Sequence, residues 1–458
     1  MLSCDTLVAL GCATSAGHTL FAKNSDRPLG EAQPFVFIPA AEYDENAVLS
    51  CTHIKIPQVK HTFAMLGAKP YWMWGFEIGV NERGVVIGNE AEDSILAMDE
   101  AEGLLGMDLL RLGLERGATA HEAMHVITEL LERYGQNANA HVSADYRYDN
   151  SYIIADAKEA WVLETAGRKW AAKRVKDYTA ISNCYSITGE YDEASADIDS
   201  YARQLRLLAP GAPFDFTHAY SRMVLRQQRS VPRYRRLLSL LSRQYGTLSE
   251  YSVTSILRDH FEDDLIAPRY GAGEALFANI CMHAMAETDS KTAASLIVTW
   301  HDDLGIKCRH CFSSPCVSAY IPVYMTGYLP HSFQKGGAFF ASSSLWWVME
   351  RLCCAVEADY ARFAPQVRAA MDAVETSFIE RAKDTEAQAA VLCREGYRGK
   401  ADTLLNALMD SCAQRLMDAA NTQFSQIQSM LRQDGGLYGN RAALLRSYCG
   451  RTGIALVD

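Results

Sequence analysis

Strand-like and helical patterns follow one another in blocks along this 458-residue chain, and their order limits the folds it can adopt. Short, β-branched apolar runs fill the start of the chain and return in "SYIIAD", "AWVLET", "KWAAKRV" and "YTAIS". The tight polar connections between these runs predict an antiparallel meander. Helical patterns occupy 101–135, about 196–260 and most of the chain after residue 341. The sequence therefore predicts an α+β protein with a C-terminal helical region.

Composition excludes several classes of function. The formal net charge of -11 argues against nucleic acid or an anionic membrane as a partner, because both require a basic surface. No apolar run reaches about 18 residues, so no membrane span is predicted. The 13 cysteines are odd in number and scattered, and no export signal precedes them. Free thiols and a cytoplasmic location are expected.

The string "HEAMH" at 121–125 has the H-E-x-x-H form of zinc peptidases, in which two histidines one turn apart bind the metal. However, the apolar face of this helix lies on the side opposite to both histidines. Glu122 also follows Thr119 with capping-box spacing, which gives it a simpler role. A third ligand would have to be His141 or Glu164, and neither position is specified by the pattern. A capped surface helix is the favoured interpretation.

A second group, Cys308, Cys311 and Cys316 with His310, contains one C-x-x-C pair and no matching second pair. Zinc sites need four ligands at suitable spacing, so scattered free thiols are the favoured interpretation. The chain also lacks a phosphate-binding loop, a dinucleotide fingerprint and a G-x-S-x-G elbow. We therefore predict no metal and no cofactor.

Cys4 becomes chemically special if the residues before it are removed, because it would then carry both a thiol and a free α-amine. The amine could serve as the general base for the thiol, and no catalytic histidine would be needed. A hairpin could bring Lys23, Asp26 and Arg27 back beside Cys4. The alternative is that "KNSDRP" is a polar turn that ends at Pro28, and the spacing alone leaves both interpretations open.

The opening "CDTLVALGCATSAGHTLFAKNSDRP" resembles that of the secernins and the related dipeptidase A family of N-terminal-nucleophile (Ntn) hydrolases. The resemblance continues in "YWMWGFEIGVNERGVVIGNEA", "GLLGMDLLRLGLERG" and "WVLETAGRKWAAK". Weaker matches follow in "SILRDHF", "ICMHA" and "SSPCVSAY". Together these blocks cover about 4–325. The resemblance implies a four-layer αββα sandwich of two antiparallel sheets between helices.

The same resemblance implies roles for individual residues. Cys4 matches the nucleophile, and Asp26 matches an aspartate that contacts it. Lys23 stands where related acylases carry arginine, so a cation is retained. Asn89 is similar to the side-chain donor of the oxyanion hole, and Asn183 to a second asparagine of the site. Each asparagine also ends a predicted strand, where asparagine is common in turns.

Two further residues are candidates for substrate binding. Arg258 in "LRDH" matches a distal active-site arginine of the family. Glu90, in the acidic run "NEAED", could hold the terminal ammonium of a peptide, although a solvated loop would explain the run equally well.

Self-cleavage before Cys4 is required for activity, because Leu2 is too bulky for ordinary removal of Met1.

These inferences predict a cysteine amidohydrolase, or dipeptidase, that acts through a thioester on small peptides. The alternatives are an N-acyl amide acylase of the penicillin V or bile-salt type and a non-catalytic scaffold. A homo-oligomer is left open. The predicted organisation is a propeptide over 1–3 (Met-Leu-Ser), a hydrolase domain over 4–340 with a helical insertion at about 196–260, and a helical region over 341–458.

Overall fold

The computed structural model describes residues 3–97, 101–222, 225–263, 279–439 and 441–457. The chain forms two compact units. The N-terminal unit comprises Ser3–Lys23 and Ile38–Ser252, and the C-terminal unit comprises Asn24–Phe37 and Val253–Asp458. Residues 1–2 of the predicted propeptide lie outside the described residues.

The strands are β1 (Cys4–Ala9), β2 (Leu20–Pro28), β3 (Phe35–Ile38), β4 (Ala41–Glu42), β5 (Val48–Ser50), β6 (Lys55–Pro57), β7 (His61–Thr62), β8 (Met65–Ala68), β9 (Ile78–Asn81), β10 (Val86–Glu92), β11 (Asp149–Ala155), β12 (Ala160–Ala166), β13 (Lys169–Arg174), β14 (Tyr178–Ile181), β15 (Glu193–Ala194), β16 (Ser290–His301), β17 (Gly305–Phe312) and β18 (Ile321–Tyr324).

The helices are α1 (Gly106–Arg116), α2 (Ala120–Tyr134), α3 (Ile198–Gln204), α4 (Phe216–Tyr220), α5 (Leu225–Arg243), α6 (Glu250–Leu257), α7 (His331–Gln334), α8 (Leu345–Glu357), α9 (Tyr360–Arg394), α10 (Arg398–Gln433) and α11 (Ala442–Thr452). Two 3₁₀ turns span Gly11–Ala13 and Pro315–Val317. None of these described helices is long and apolar enough to cross a membrane.

Two sheets lie face to face in the N-terminal unit. The larger sheet has the strand order β15-β13-β12-β11-β10-β9-β8, and in the other β1 lies between β14 and β2. Strand β1 packs on β10 and β11, while α1 and α2 cover the opposite side of the larger sheet. Helix α5 packs on β1 and β14. This order of helix, sheet, sheet and helix confirms the α+β prediction and the four-layer arrangement implied by the resemblance.

The predicted meander is correct for three of its four strands. Strands β11, β12 and β13 pair in sequence with antiparallel register. The fourth, β14, leaves this sheet and pairs with β1, so that Thr6 lies opposite Ile181. The edge of β13 is instead occupied by the short strand β15. The prediction was wrong at this strand because alternation within a strand does not specify which neighbour it joins.

Helix α2 begins and ends as its sequence predicts. Thr119 is the N-cap residue, and its hydroxyl oxygen accepts a hydrogen bond from the Glu122 amide at 3.1 Å. Gly135 follows the last turn with φ of 72°, a conformation that favours glycine. Local capping chemistry is therefore sufficient to delimit this helix.

In the C-terminal unit, β16 pairs with β17, which in turn pairs with β18. Helix α8 packs on β17, whereas α9 and α10 pack on β18 and on one another. The predicted helical region is confirmed from Leu345 onward. The C-terminal compact unit extends to both sides of the predicted boundary at 340, because it contains β16–β18 as well as the helices that pack on these strands. The domain limits therefore stay a prediction.

Candidate active site

Cys4 lies at the first position of β1, where it is 4% exposed. The register that pairs Thr6 with Ile181 also brings the start of β1 to the residues that follow β14. As a result, the backbone N–H of Cys4 donates a hydrogen bond of 2.8 Å to Oδ1 of Asn183. The Asn183 amide is itself held, because its Nδ2 donates to the carbonyl oxygen of Ala91 at 2.8 Å. The structure thus brings together two of the predicted site residues.

Arg233 of α5 completes this cluster, and the sequence analysis missed it. Its guanidinium donates to Asn183 Oδ1 at 2.8 Å and to Ser182 Oγ at 2.9 Å, and it lies 3.2 Å from Asp5 Oδ2. Both members of the ion pair are fully buried. Burial raises the pKa of Asp5 to about 6, although the charge of Arg233 acts in the opposite direction. The basic run around Arg233 gave no signal that would distinguish it from its neighbours.

Lys23 of β2 is a second buried cation of the candidate site. Its Nζ donates to the backbone carbonyl of Asn89 at 2.5 Å and to Oε1 of Glu90 at 3.2 Å. The hydroxyl of Thr6 donates to the same carboxylate oxygen. Gly88 provides the space for this side chain, since a Cβ at that position would lie 2.6 Å from Lys23 Cδ.

The charges around Lys23 support its protonated form. Burial opposes the charge, but the Cys4 thiolate and the carboxylates of Glu90 and Glu77 outweigh it and raise the pKa of Lys23. Burial also raises the pKa of Glu90 to about 7, against the effect of Lys23. A cation that responds electrostatically to Cys4 favours the thiolate form of that cysteine.

The acidic run that contains Glu90 is not a solvated loop. Residues 86–92 form β10 and are buried throughout. The Glu90 carboxylate is engaged by Lys23 and Thr6, so it already compensates a cation of the protein. Binding of a substrate ammonium by Glu90 stays a prediction.

The Asn89 amide points to the opposite face of β10 from Lys23. Its Nδ2 donates to Asn150 Oδ1 at 3.0 Å and contacts Met107 Sδ of α1 at 3.4 Å, and its Oδ1 has no hydrogen-bond partner among the described residues. Alternation along β10 explains this, because Gly88 and Glu90 occupy the face that meets β1 and β2. The structure therefore brings the Asn89 backbone, and not its amide, to the Lys23 cluster. The oxyanion role of Asn89 stays a prediction.

Asp26 and Arg258 belong to the C-terminal unit. Asp26 accepts a hydrogen bond of 2.7 Å from the Thr292 hydroxyl. Arg258 forms a salt bridge of 2.6 Å with Glu375 of α9 and donates to the carbonyl oxygen of Pro315. These contacts connect segments within their own unit. The catalytic role of Asp26 and the substrate-binding role of Arg258 stay predictions.

The H-E-x-x-H helix carries two half-exposed histidines beside a carboxylate that the sequence did not identify. His121 Nε2 lies 2.6 Å from Oε1 of Glu193, and His125 Nε2 lies 3.2 Å from Oε2. The two candidates for a third ligand are engaged elsewhere. His141 accepts from the amides of 143 and 144, and Glu164 accepts from those of 186 and 187. Histidine–carboxylate ion pairs on a capped helix account for this group.

The chain is similar in sequence to known proteins. A sequence profile described as Peptidase family C69 matches residues 3–236. A dipeptidase of Bifidobacterium longum (strain NCC 2705) is 28% identical over 219 residues, which represent 42% of this chain and 39% of that protein. The chain thus matches about two fifths of the length of this curated relative.

Two solved structures are similar at low identity. A mutant form of the conjugated bile acid hydrolase of Clostridium perfringens is 12% identical, with a TM-score of 0.41 over 73% of this chain and 95% of the other. The penicillin V acylase of Agrobacterium tumefaciens is 14% identical, with a TM-score of 0.40 over 70% of this chain and 86% of the other.

The layered fold is accompanied by a sequence match to a family of peptidases. The chain belongs to peptidase family C69, and this confirms the resemblance to secernins and dipeptidase A.

Proposed function

We propose that this protein is a cysteine amidohydrolase that cleaves small peptides with Cys4 as an N-terminal nucleophile. The observation that carries the proposal is the 2.8 Å hydrogen bond from the Cys4 backbone nitrogen to Asn183 Oδ1. A nitrogen that will act as a general base must be held at a fixed position beside the thiol, and Asn183 provides that position. Lys23 adds the positive charge that favours a thiolate.

Maturation begins with cleavage of the bond between Ser3 and Cys4. The Cys4 thiol attacks the Ser3 carbonyl carbon, and the amide nitrogen leaves with a proton, which yields a thioester and a free α-amine. Water then hydrolyses the thioester, releases the residues before Cys4 as a carboxylic acid and restores the thiol. The mature chain has the Cys4 amine within hydrogen-bond distance of Asn183 Oδ1.

Peptide hydrolysis follows the same bond changes with an external substrate. The α-amine of Cys4 takes the thiol proton while the sulfur attacks the substrate carbonyl. The amine returns this proton to the leaving nitrogen, and a thioester remains. The amine next deprotonates a water molecule that attacks the thioester, and the acid product leaves. Arg233 positions Asn183 through this cycle by donating a hydrogen bond to the same amide oxygen.

Small peptides are the substrate class that we favour, because the chain belongs to a peptidase family and resembles a dipeptidase over 219 residues. N-acyl amides, on which penicillin V acylase acts by its name, are the alternative. Both classes present one amide carbonyl to the nucleophile, so the same Cys4 chemistry would serve either.

Intact mass and a substrate panel test the proposal together. The purified chain should be short by the residues before Cys4 and should hydrolyse dipeptides faster than N-acyl amides. Cys4→Ala should keep those residues and lose hydrolysis by more than about 10³-fold. Cys12→Ser, at an exposed thiol in the nearby 3₁₀ turn, is the matched control and should be processed and active. A full-length mass without hydrolysis would favour the scaffold alternative.

The two asparagines provide a finer test. Asn183→Ala removes the acceptor of the Cys4 nitrogen and should lower both processing and kcat by about 10²-fold. Asn89→Ala should lower kcat by about tenfold or less, since the Asn89 amide faces α1. A loss of about 10²–10³-fold for Asn89→Ala would identify it as the oxyanion donor and contradict this orientation.

A further inference from the structure

Four side chains with metal-binding atoms meet in the C-terminal unit. They are His260, Cys281, His283 and Cys316, and all four are buried. One ligand atom from each lies within 4.8 Å of those of the other three. They come from three segments of the chain, and these segments are the weaker motifs "SILRDHF", "ICMHA" and "SSPCVSAY". The proposed hydrolase mechanism uses none of them.

The distances within this cluster, which we call the Cys2His2 cluster, match those of a tetrahedral metal site. Cys316 Sγ lies 3.3 Å from His283 Nε2, and Cys281 Sγ lies 3.7 Å from the same nitrogen. Zinc bonds of 2.0–2.3 Å in a tetrahedron place neighbouring ligand atoms roughly 3.3–3.8 Å apart. Both thiol sulfurs therefore already lie at the separation from His283 Nε2 that one zinc ion requires, and all four ligand atoms lie within 4.8 Å of one another.

Both histidines have a carboxylate on the ring nitrogen that would face away from a metal. Nδ1 of His283 lies 2.7 Å from Glu357 Oε1, and Nδ1 of His260 lies 3.2 Å from Glu262 Oε1. Arg441 holds the other oxygen of Glu357 at 2.9 Å. A carboxylate on the second nitrogen is the usual device that orients a metal-bound imidazole and fixes its tautomer. The contacts of these carboxylates with the two Nδ1 atoms are an observation independent of the ligand distances.

We propose that the Cys2His2 cluster binds one Zn²⁺ ion as a four-coordinate structural site. Two thiolates and two imidazoles are a ligand set that selects zinc, and all four positions are filled by protein. On binding, each thiol releases its proton to solvent, so Zn²⁺ with two thiolates and two neutral imidazoles carries no net charge. A neutral site of this kind is compatible with burial. The chain was predicted from sequence to need no metal.

The competing group on α2 fits zinc less well. His121, His125 and Glu193 provide three ligands, and the histidine side chains are 42% and 40% exposed. Their contacts are satisfied by the ion pairs described above. The Cys2His2 cluster is buried, has four ligands, and adjoins a cavity of about 570 Å³ lined by Cys316, His260 and Tyr360, through which an ion could enter.

Zinc at this site would fix the segment after α6, which carries His260, to the 3₁₀ turn Pro315–Val317, which carries Cys316. The ion would thereby link two described segments that are distant in sequence. Binding free energy of a structural metal contributes to folding, so the C-terminal unit should lose stability when the metal is removed.

Metal analysis of the full-length protein, purified without chelator or metal-affinity resin, tests the proposal. We expect about one zinc per chain, and cobalt added to the stripped protein should give the intense visible bands of tetrahedral thiolate coordination. Cys281→Ser and Cys316→Ser should each lose the zinc. Two controls should retain it: Cys308→Ser, at a buried thiol of β17, and the pair His121→Ala with His125→Ala.

The cobalt titration uses the unmodified chain, so it remains informative if a cysteine variant does not fold. Absence of zinc together with absence of a cobalt spectrum would overturn the proposal. A disulfide between Cys281 and Cys316 in the freshly purified protein would also overturn it, as would loss of zinc in the α2 double variant alone. Neither readout depends on peptidase activity, so failure here is distinguishable from failure of the Cys4 mechanism.

Discussion

Lys23 and Lys291 are the buried lysines of the described chain, one in each unit, and their surroundings differ. Nζ of Lys23 forms a salt bridge of 3.2 Å with Glu90. Nζ of Lys291 forms two, at 3.0 Å from Glu350 and 3.6 Å from Glu357. Among the described residues, the salt bridge of Lys23 therefore involves one carboxylate and those of Lys291 involve two, while Glu77 acts on Lys23 electrostatically without a salt bridge.

The pKa shifts follow this difference. Burial opposes the charge of both lysines, and nearby thiols and carboxylates raise the pKa of each. Beside Lys23, however, burial also raises the pKa of Glu90 to about 7, so this partner carries only part of its charge near neutral pH. Charge that Glu90 does not neutralise can act on Cys4. Under the proposed mechanism, the partial ionisation of Glu90 would distinguish the surroundings of Lys23 from the structural ion pairs of Lys291.

Replacement of Lys23 should have a larger effect on catalysis than replacement of Lys291. Lys23→Met should lower kcat/KM for the best dipeptide by roughly 10²–10³-fold, because the Cys4 thiolate loses its buried cation. The loss of stability should be modest, since Glu90 can take up a proton. Lys173→Met, at a surface lysine of β13 that is 42% exposed, is the control and should retain full activity. Equal activities of the two variants would break the comparison.

Replacement of Lys291 should instead lower the free energy of unfolding. Lys291→Met leaves Glu350 and Glu357 without one of their cations, and the free energy of unfolding should fall by about 3 kcal/mol in urea titrations. Lys307→Met removes a partly exposed lysine that lies 2.8 Å from Glu386 and should cost about 1 kcal/mol or less. If Lys291→Met were as stable as Lys307→Met, the two-carboxylate environment would not be structural.

The pH dependence of stability tests a buried carboxyl group of the N-terminal unit, that of Glu164. Burial raises the pKa of Glu164 from 4.5 to about 7, so the folded chain keeps this proton to higher pH than the unfolded chain does. Its contribution to stability therefore falls as pH rises between those two values. Glu164→Gln should gain on the order of 2 kcal/mol relative to the parent between about pH 4.5 and 7.5, as measured by urea unfolding. Exposed Glu129→Gln is the control, and an equal change in both variants would contradict the raised pKa.

The sequence predicted the helices and strands better than the contacts between them, and the layers were implied only by the family resemblance. Capping and alternation delimit α2 and the strands of the meander because these signals are local. The pairing of β14 with β1 joins distant parts of the chain, such as Thr6 and Ile181, and nothing within either strand specifies it. This pairing is what brings Asn183 to Cys4, so only the family resemblance could assign that residue.

Two other parts of the site had no local signal. Both faces of β10 are buried, so its sequence does not indicate which face meets β1, and Asn89 could not be oriented from alternation alone. Arg233 is one of several arginines in α5, and its selection depends on the packing of that helix against β14. The Cys2His2 cluster joins three short motifs, of which only Cys281 and His283 are close in sequence.

The contact between Cys4 and Asn183 exists while Ser3 is still attached. Under the proposed mechanism, the precursor would therefore already be folded around its catalytic geometry, and cutting the bond would change a covalent link without rebuilding the architecture. The rate of activation would then be the rate of a single intramolecular reaction, and it would depend neither on protein concentration nor on a separate protease. Such a protein could accumulate in a folded but inactive form. The rate of its self-cleavage would then set the delay before its first turnover.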